Sequence, residues 1–496
     1  MCMFCAADSR RMSYHSPRAT EKLQTRRRFL QAGLAAGALA AAVPAFGQSI
    51  AVDDPDIAQI GKSRRVVLKG GTILSMDRQV GDFREGDVLI EDGKIRAVGV
   101  NLDVPQDAAV VDAKNRIVMP GFVDTHHHFY QGILRSILVN GLLNPDYNAT
   151  INGPITAAYQ PQDVYAGSLI SALGMMDMGT TLAVDTSQAS HTPEHNDAGI
   201  KALNESGMRV VYAYWQGQGP AMQYPQDSRR LRKQYFSSED QLLTLALASV
   251  LDPKSFEYAR QNDLRIVSHG VDKRREPRLL EMQKAGLLRA GDELIHCNDL
   301  SSASWNIIKD AGIRVSLAPP IEMTMGHGMP GIQDALDHGI RPSLSSDVDA
   351  TMAQDPFTLM RTTLTVQRAL VLQRERNGEK NLPPLLTARD VLEFATIEGA
   401  RCANLESKTG SLTPGKQADV ILLRTDTLST WPINNAPGTV VSVMNPSHVD
   451  TVIVDGKLKK WRGKMVGVDT ARVLRLAEES RVAVLQRCGF KRDLLE

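Results

Sequence analysis

The sequence predicts an α/β chain, a (β/α)8 barrel carrying a small β-sandwich domain built from N- and C-terminal segments. Three observations predict it. Eight short β-rich runs alternate with helical stretches between residues 121 and 347, the pattern of βα units on a parallel sheet. Two flanking regions, one near each end, share a hairpin style built on Asp-Gly turns. Histidines and an aspartate recur at the carboxyl ends of the runs, where a barrel gathers its functional side chains.

The first element, residues 1–47, is read as a signal rather than as fold. The pair Arg26 and Arg27 is followed by Phe29, Leu30 and an alanine-rich run that is too short and too mild to span a bilayer. This order matches twin-arginine export, so the expectation is a periplasmic or otherwise exported protein that meets the twin-arginine machinery. Ala45 and Gly47 are small where a signal peptidase needs small residues, which places the mature start near Gln48; Met12 is an alternative translation start. Cleavage removes Cys2 and Cys5 and leaves Cys297, Cys402 and Cys488, too few and too dispersed for a disulfide framework.

The second element is composite. Residues 64–117 contain strand-like runs with a hairpin turn at Asp92-Gly93, and residues 408–470 repeat the style with a turn at Asp455-Gly456. Between them, residues 118–407 hold the barrel, with strands expected at 121–126, 180–186, 209–215, 242–249, 264–269, 293–297, 314–319 and 341–347. The fourth of these, rich in alanine and leucine, also suits a helix. Residues 471–496 are expected to form a terminal helix.

Charge bounds the partners. With 57 basic and 56 acidic residues the net charge is +1, which favours neither nucleic acid nor an anionic membrane surface. A small-molecule substrate fits better, without stable membrane insertion. A homo-oligomer is left open. There is no GxGxxG, no phosphate-binding loop and no internal repeat.

The stretch GFVDTHHHFYQGILRS, residues 121–136, sets His126 and His128 on one side of a strand end and His127 on the other. His269 closes the fifth run, His296 lies on the sixth and Asp347 closes the eighth. A lone strand-end histidine is more often a hydrogen-bonded structural residue. Four with an aspartate, converging on one barrel mouth, form a metal site. Imidazole nitrogen and carboxylate oxygen suit Zn2+, with Fe2+, Mn2+ or Co2+ as alternatives.

The motifs MPGFVDTHHHFYQGILR, VSHG, IHCNDL and SLSSD, with the flanks TGSLTPGKQADVILL and VIVDGK, resemble the amidohydrolase superfamily over roughly residues 64–470. The resemblance is to the branch of triazine hydrolases, 8-oxoguanine deaminase and adenosylhomocysteine deaminase. It implies one divalent ion per chain held by His126, His128, His269 and Asp347. Asp347 would also take a proton from the attacking water, and His296 would face the attacked carbon as a catalytic and substrate-binding residue. The stretch LALASVLDPK offers no lysine candidate for bridging a second ion at the fourth strand end.

This chain departs from the pattern at one important place. Deaminases of the branch carry a glutamate three residues after the fifth-strand histidine, whereas this chain has Asp272, one methylene shorter. The sixth-strand motif is also altered, to His296-Cys297-Asn298-Asp299. Glu322, in the loop after the seventh strand, is a substitute proton carrier; its bland alternative is a solvated loop glutamate. Tyr130 and Gln131 are expected either to touch substrate or to pack below the metal. His327 lies on a glycine-rich loop near the mouth, and Arg229, Arg230, Arg232 and Lys233 read as a solvated helix face. The expected activity is metal-dependent hydrolysis of a non-peptide C–N bond, with an amide, urea or carbamate ahead of deamination of an N-heterocycle. A non-catalytic periplasmic binding protein is the alternative class; it would have to bury unpaired imidazoles and a carboxylate at a cost.

Overall fold

The β-branched runs near the start of the chain fold into a sheet that is incomplete until the end of the chain returns. In the computed structural model, which describes residues 55–238 and 240–495, the first five strands are β1 (Arg65–Ile73), β2 (Phe83–Glu91), β3 (Lys94–Gly99), β4 (Ala109–Asp112) and β5 (Arg116–Pro120). The proposed export signal lies outside the described residues. The barrel strands follow: β6 (Phe122–His127), β7 (Thr180–Ser187), β8 (Arg209–Tyr214), β9 (Leu243–Ser249), β10 (Ile266–Asp272), β11 (Glu293–Asn298), β12 (Arg314–Leu317) and β13 (Ser343–Leu344). Last come β14 (Val420–Arg424), β15 (Val449–Val454), β16 (Lys457–Trp461) and β17 (Lys464–Met465).

The terminal segments form one nine-stranded mixed sheet, in which β14 pairs antiparallel with β5 and so joins the two ends of the chain. The sheet bends where β1 shifts register at Gly70–Gly71, pairing with β4 on one side of the shift and with β5 on the other. Its buried face collects Val66, Leu68, Val88, Ile95, Val118, Val420 and Ile453. Asp92 and Gly93, and Asp455 and Gly456, all have positive φ, as the two hairpin turns require. The turns also meet: a Cβ on Gly456 would lie 2.3 Å from the Gly93 Cα, so no side chain is tolerated there.

The eight middle strands run parallel in the order β6 to β13, and backbone bonds from Asp347 N to His126 O (2.9 Å) and from His128 N to Asp347 O (2.9 Å) bring the two edges together. Val123, Leu182, Val184, Val211, Ala213, Ala246, Ala248, Val267 and Ile295 fill the interior. The barrel is therefore a packed core and its chemistry is confined to one mouth. Arg209, at the start of β8, ties barrel to sheet through Asp419 (Nε to Oδ2, 2.7 Å), with both side chains buried.

Several bounds differ from the sequence expectation for local reasons. β10 runs three residues past His269 through a register shift, so His269 is inside the strand rather than at its end. β12 stops at Leu317 because Pro319 and Pro320 lack N–H donors and open a helix instead, Pro319–Thr324. β13 is only two residues long, and Asp347 sits three residues beyond it. The fourth barrel run is a strand, not a helix. The terminal helix, Thr470–Cys488, ends well before 496, at Gly489 with φ 69°. Among the described residues no helix is long and apolar enough to cross a membrane.

Candidate metal centre and active site

His126, His269 and His296 reach the mouth from within their strands and Asp347 from the segment beyond β13, and at two of these positions the backbone leaves the extended region. His296 and Asp347 have φ of 75° and 61°, in the left-handed region, which costs roughly 1–2 kcal/mol per non-glycine residue. Such strain persists only when the surroundings over-determine it. Here they do so through His127. Its ring points away from His126 and His128 and is buried, with Nδ1 2.9 Å from Ser346 Oγ and Nε2 3.4 Å from Asp349 Oδ2. Ser346 donates its hydroxyl to Asp124 (2.5 Å), so both ring nitrogens of His127 act as donors. Although burial opposes its charge, Asp349 and then Asp124 hold this imidazole above its ordinary pKa. The three bonds grip residues 346 and 349, on either side of Asp347.

One ligand atom from each of His126, His128, His269 and Asp347 falls within a 4.8 Å cluster. His126 Nε2 is 2.9 Å from Asp347 Oδ1, and His128 Nε2 is 3.6 Å from the same oxygen. The outer nitrogens are already engaged: Nδ1 of His128 donates to the Thr186 carbonyl (3.0 Å), and Nδ1 of His126 meets the Thr186 hydroxyl (2.8 Å). Thr186 thereby turns both Nε2 atoms inward, as ligating histidines need. Burial, followed by the neighbouring His126, lowers His128 to about 3, and burial also takes His269 well below its ordinary value. These imidazoles are therefore neutral and have lone pairs to offer. Asp347 pays a burial penalty, yet His126, His296 and His128 hold it well below the usual carboxylate range. Three neutral nitrogens and one anionic oxygen fit a divalent borderline cation.

The cluster opens into a cavity of about 760 Å3. Trp215 forms part of its wall, its ring stacked on His128 with centroids 6.2 Å apart at 26°. Asn144, Asn148, Asn152 and Gln188 line another part, with side-chain amides linked in series at 2.7, 2.7 and 3.2 Å. Asp272 also lines the cavity, but it accepts from Arg274 Nη2 at 2.5 Å and Nε at 3.0 Å as well as from the Arg274 backbone N–H.

The other predicted residues divide clearly. Glu322 is not a solvated loop residue. It is fully buried, and Oε1 accepts from His296 Nδ1 (3.1 Å) and the Ala318 N–H (2.9 Å). Burial raises its pKa while His296 opposes the rise, and it does not line the cavity, so it acts through His296. His296 faces Asp347 Oδ2 at 3.7 Å. Of the two alternatives expected for Tyr130 and Gln131, substrate contact or packing below the metal, the structure favours packing, since neither residue lines the cavity. Both are buried, and Gln131 Nε2 donates to the hydroxyls of Tyr147 (2.6 Å) and Tyr130 (3.1 Å), fixing the Tyr147 wall from behind. His327 does line the cavity, 4.7 Å from His296 by ring centroid. Arg229, Arg230 and Arg232 are structural: Arg230 pairs with Asp227 and Asp197, and the other two bond to Asn262. Cys297, Cys402 and Cys488 are free, and burial pushes the thiols of the first two well up.

Sequence reasoning missed Trp215 and Thr186. Trp215 closes the run RVVYAYW, so the strand-end rule that singled out the histidines applied to it as well.

The chain is similar to several known proteins over most of its length. A 5'-deoxyadenosine deaminase of Methanosarcina mazei is 27% identical over 447 residues, covering 85% of this chain and 99% of that protein. A 5-methylthioadenosine/S-adenosylhomocysteine deaminase of Caldicellulosiruptor saccharolyticus is 25% identical, covering 83% and 96%. Among solved structures, an adenosine deaminase from Xanthomonas campestris with bound zinc superposes with a TM-score of 0.76 at 20% identity, covering 85% of this chain and 98% of that one. An atrazine chlorohydrolase from Arthrobacter aurescens, complexed with zinc, gives 0.73 at 20% identity, covering 84% and 100%. The model of the amidohydrolase family matches residues 117–253 and 260–459.

Proposed function

Because this chain belongs to the amidohydrolase family, we propose that it is a metal-dependent hydrolase of a non-peptide C–N bond, acting at a ring carbon of a planar N-heterocycle. The observation that carries the reading is the convergence of His126, His128, His269 and Asp347 on one cavity that is also faced by His296 and Trp215. Those four residues would hold a divalent ion such as Zn2+, which when bound would supply Lewis acidity and acidify water. Asp347 accepts the proton that water loses. His296, fixed by Glu322 through Nδ1, presents Nε2 to the substrate where charge develops. Trp215 adds apolar aromatic surface to the cavity wall, and the chain of amides from Asn144 to Gln188 offers uncharged donors and acceptors to the substituents of a ring. The similarity to adenosine-type deaminases and triazine hydrolases supports a ring substrate.

A second reading, hydrolysis of an open-chain amide or urea, is favoured by one observation. The carboxylate at the place of the deaminase glutamate, Asp272, is engaged by Arg274 rather than free for a ring nitrogen. A panel of 5'-deoxyadenosine, 5'-methylthioadenosine, aminotriazines and simple ureas, run on zinc-loaded protein and scored for ammonia and amine release, separates the two. Turnover only of ureas overturns the ring assignment. His126→Ala is expected to lose metal and activity together, and a metal-free variant with full activity overturns the hydrolytic centre. The twin-arginine segment supports export to the periplasm. Replacing Arg26 and Arg27 with lysine should then leave the precursor in the cytoplasm, and normal export of that variant would overturn the assignment.

A further inference from the structure

Beside the four-ligand cluster, the mouth holds a second set of donors. His296 Nε2 and His327 Nε2 are both buried and without a hydrogen-bond partner, and with Asp347 they form another group whose ligand atoms lie within 4.8 Å of one another. His296 is 2% exposed, and it lines the cavity, so its unpartnered Nε2 is aimed into the mouth. Asp347 divides its oxygens between the two sets. Oδ1 faces His126 and His128 at 2.9 and 3.6 Å, while Oδ2 faces His296 Nε2 at 3.7 Å.

His296 also carries the outer contact typical of a ligating histidine. Its Nδ1–H donates to a buried carboxylate, Glu322, so in the neutral form of the ring the Nε2 lone pair is directed inward. The same residue sets the second imidazole, because the Glu322 carbonyl accepts from the backbone N–H of His327 (2.9 Å). Gly326 and Gly328, at φ 70° and 141°, permit the loop to turn tightly on both sides of that ring. Residue 322 therefore bears on both histidines, through its carboxylate at His296 and through its backbone carbonyl at His327.

We propose that His296, His327 and Asp347 form a second, weaker divalent-cation site that shares the Asp347 carboxylate with the first. Donors around a tetrahedral Zn2+ lie roughly 3.3 Å apart, so the 3.7 Å pair needs little movement, and the three ligand atoms already lie within 4.8 Å of one another. A bridging carboxylate suits the roughly 3.5–4 Å separation of two-metal centres. The site is the weaker because it has three protein donors and only a shared negative charge to set against a neighbouring cation. An ion there occupies the space in front of His296 Nε2, so filling it excludes the substrate's polar group and excess zinc inhibits. The inference rests on the first centre holding an ion, and the ion count keeps the two apart.

The test is zinc titration of metal-free, untagged protein by calorimetry and equilibrium dialysis, with folding followed by circular dichroism. The wild type is expected to bind two ions with at least a tenfold difference in affinity, and His327→Ala and His296→Asn are each expected to bind one, at the tighter site. Two ions in both variants, or one ion in the wild type at saturating zinc, overturns the second site while leaving the first intact. No bound ion in the wild type overturns the first centre and the second with it.

Discussion

Replacing His127 with phenylalanine tests whether the metal ligand Asp347 is held by the network behind it. The ring is fully buried, and phenylalanine keeps its approximate size while removing both nitrogens. Two bonds are lost, one to a neutral serine, worth about 1 kcal/mol, and one to a carboxylate, worth about 1.5–3 kcal/mol, so the metal-free protein should lose roughly 2.5–4 kcal/mol. The partners are not stranded. Asp349 still accepts from Ser171 (2.9 Å) and Gln354 (2.9 Å), and Ser346 still donates to Asp124. The informative quantity is zinc affinity. Asp347 sits at φ 61° between the two gripped residues, and releasing that grip lets its carboxylate leave the position facing His126. Loss of an outer contact of this kind weakens metal binding about 10–100-fold, equivalent to roughly 1.4–2.8 kcal/mol. Chelator competition gives the affinity, and urea unfolding of the metal-free protein gives the stability. If stability falls by the expected amount and affinity stays within twofold, the network supports the barrel seam alone and its assigned role at the ligand is wrong.

Other perturbations separate further parts of the structure. Glu322→Gln should lower turnover of whichever panel substrate is active by about 10²-fold or more and alter the pH profile through His296, while Asp272→Asn, already engaged by Arg274, should cost less; the reverse order moves proton handling to Asp272. Burial raises Asp185 to about 7, so its neutral form contributes stability that is complete below the ordinary carboxylate range near pH 4 and is lost as pH rises through 7. Asp185→Asn cannot ionise and should gain roughly 2–3 kcal/mol on the wild type between pH 5 and pH 8 in urea titrations, whereas parallel stability curves would refute the shift. Asp419→Ala leaves the buried Arg209 guanidinium without its main partner and should cost about 3–5 kcal/mol, read as a lower urea midpoint at unchanged slope; a loss under 1 kcal/mol would refute the pair as the tie between barrel and sheet.

The barrel was legible because its signals are local. Parallel strands buried on both faces read as short apolar runs, and polar side chains at their carboxyl ends have only one mouth to face. The metal set could therefore be assembled from residues 126, 128, 269 and 347 without knowing any distance. What the sequence did not yield depended on contacts between residues far apart in the chain. Glu322 looks like a loop residue until it is seen that the Pro319–Thr324 helix turns it inward against His296, 26 positions away. Tyr130 and Gln131 follow the ligands directly, which suggested substrate contact, but the 3-10 turn Phe129–Leu134 carries both away from the cavity. Nothing in local spacing marks the residue beside a ligand as its support, so His127 could be placed on the opposite face of the strand but not given its partners.

The same contrast explains how this mouth differs chemically from the deaminase pattern. There a glutamate on the fifth strand is free to exchange protons with the ring. Here the shorter Asp272 is engaged by Arg274, a neighbour two residues away that also lines the cavity together with Lys273 and Arg275, so the carboxylate sits in a basic stretch of the rim. A second carboxylate, Glu322, lies buried behind His296 and is joined to the cavity only through the imidazole. A carboxylate in that position does not reach a ring nitrogen directly; it fixes which histidine nitrogen bears the proton and strengthens the histidine as a base or as a ligand. Proton handling and the proposed second cation site thus both depend on His296 and on the glutamate held behind it.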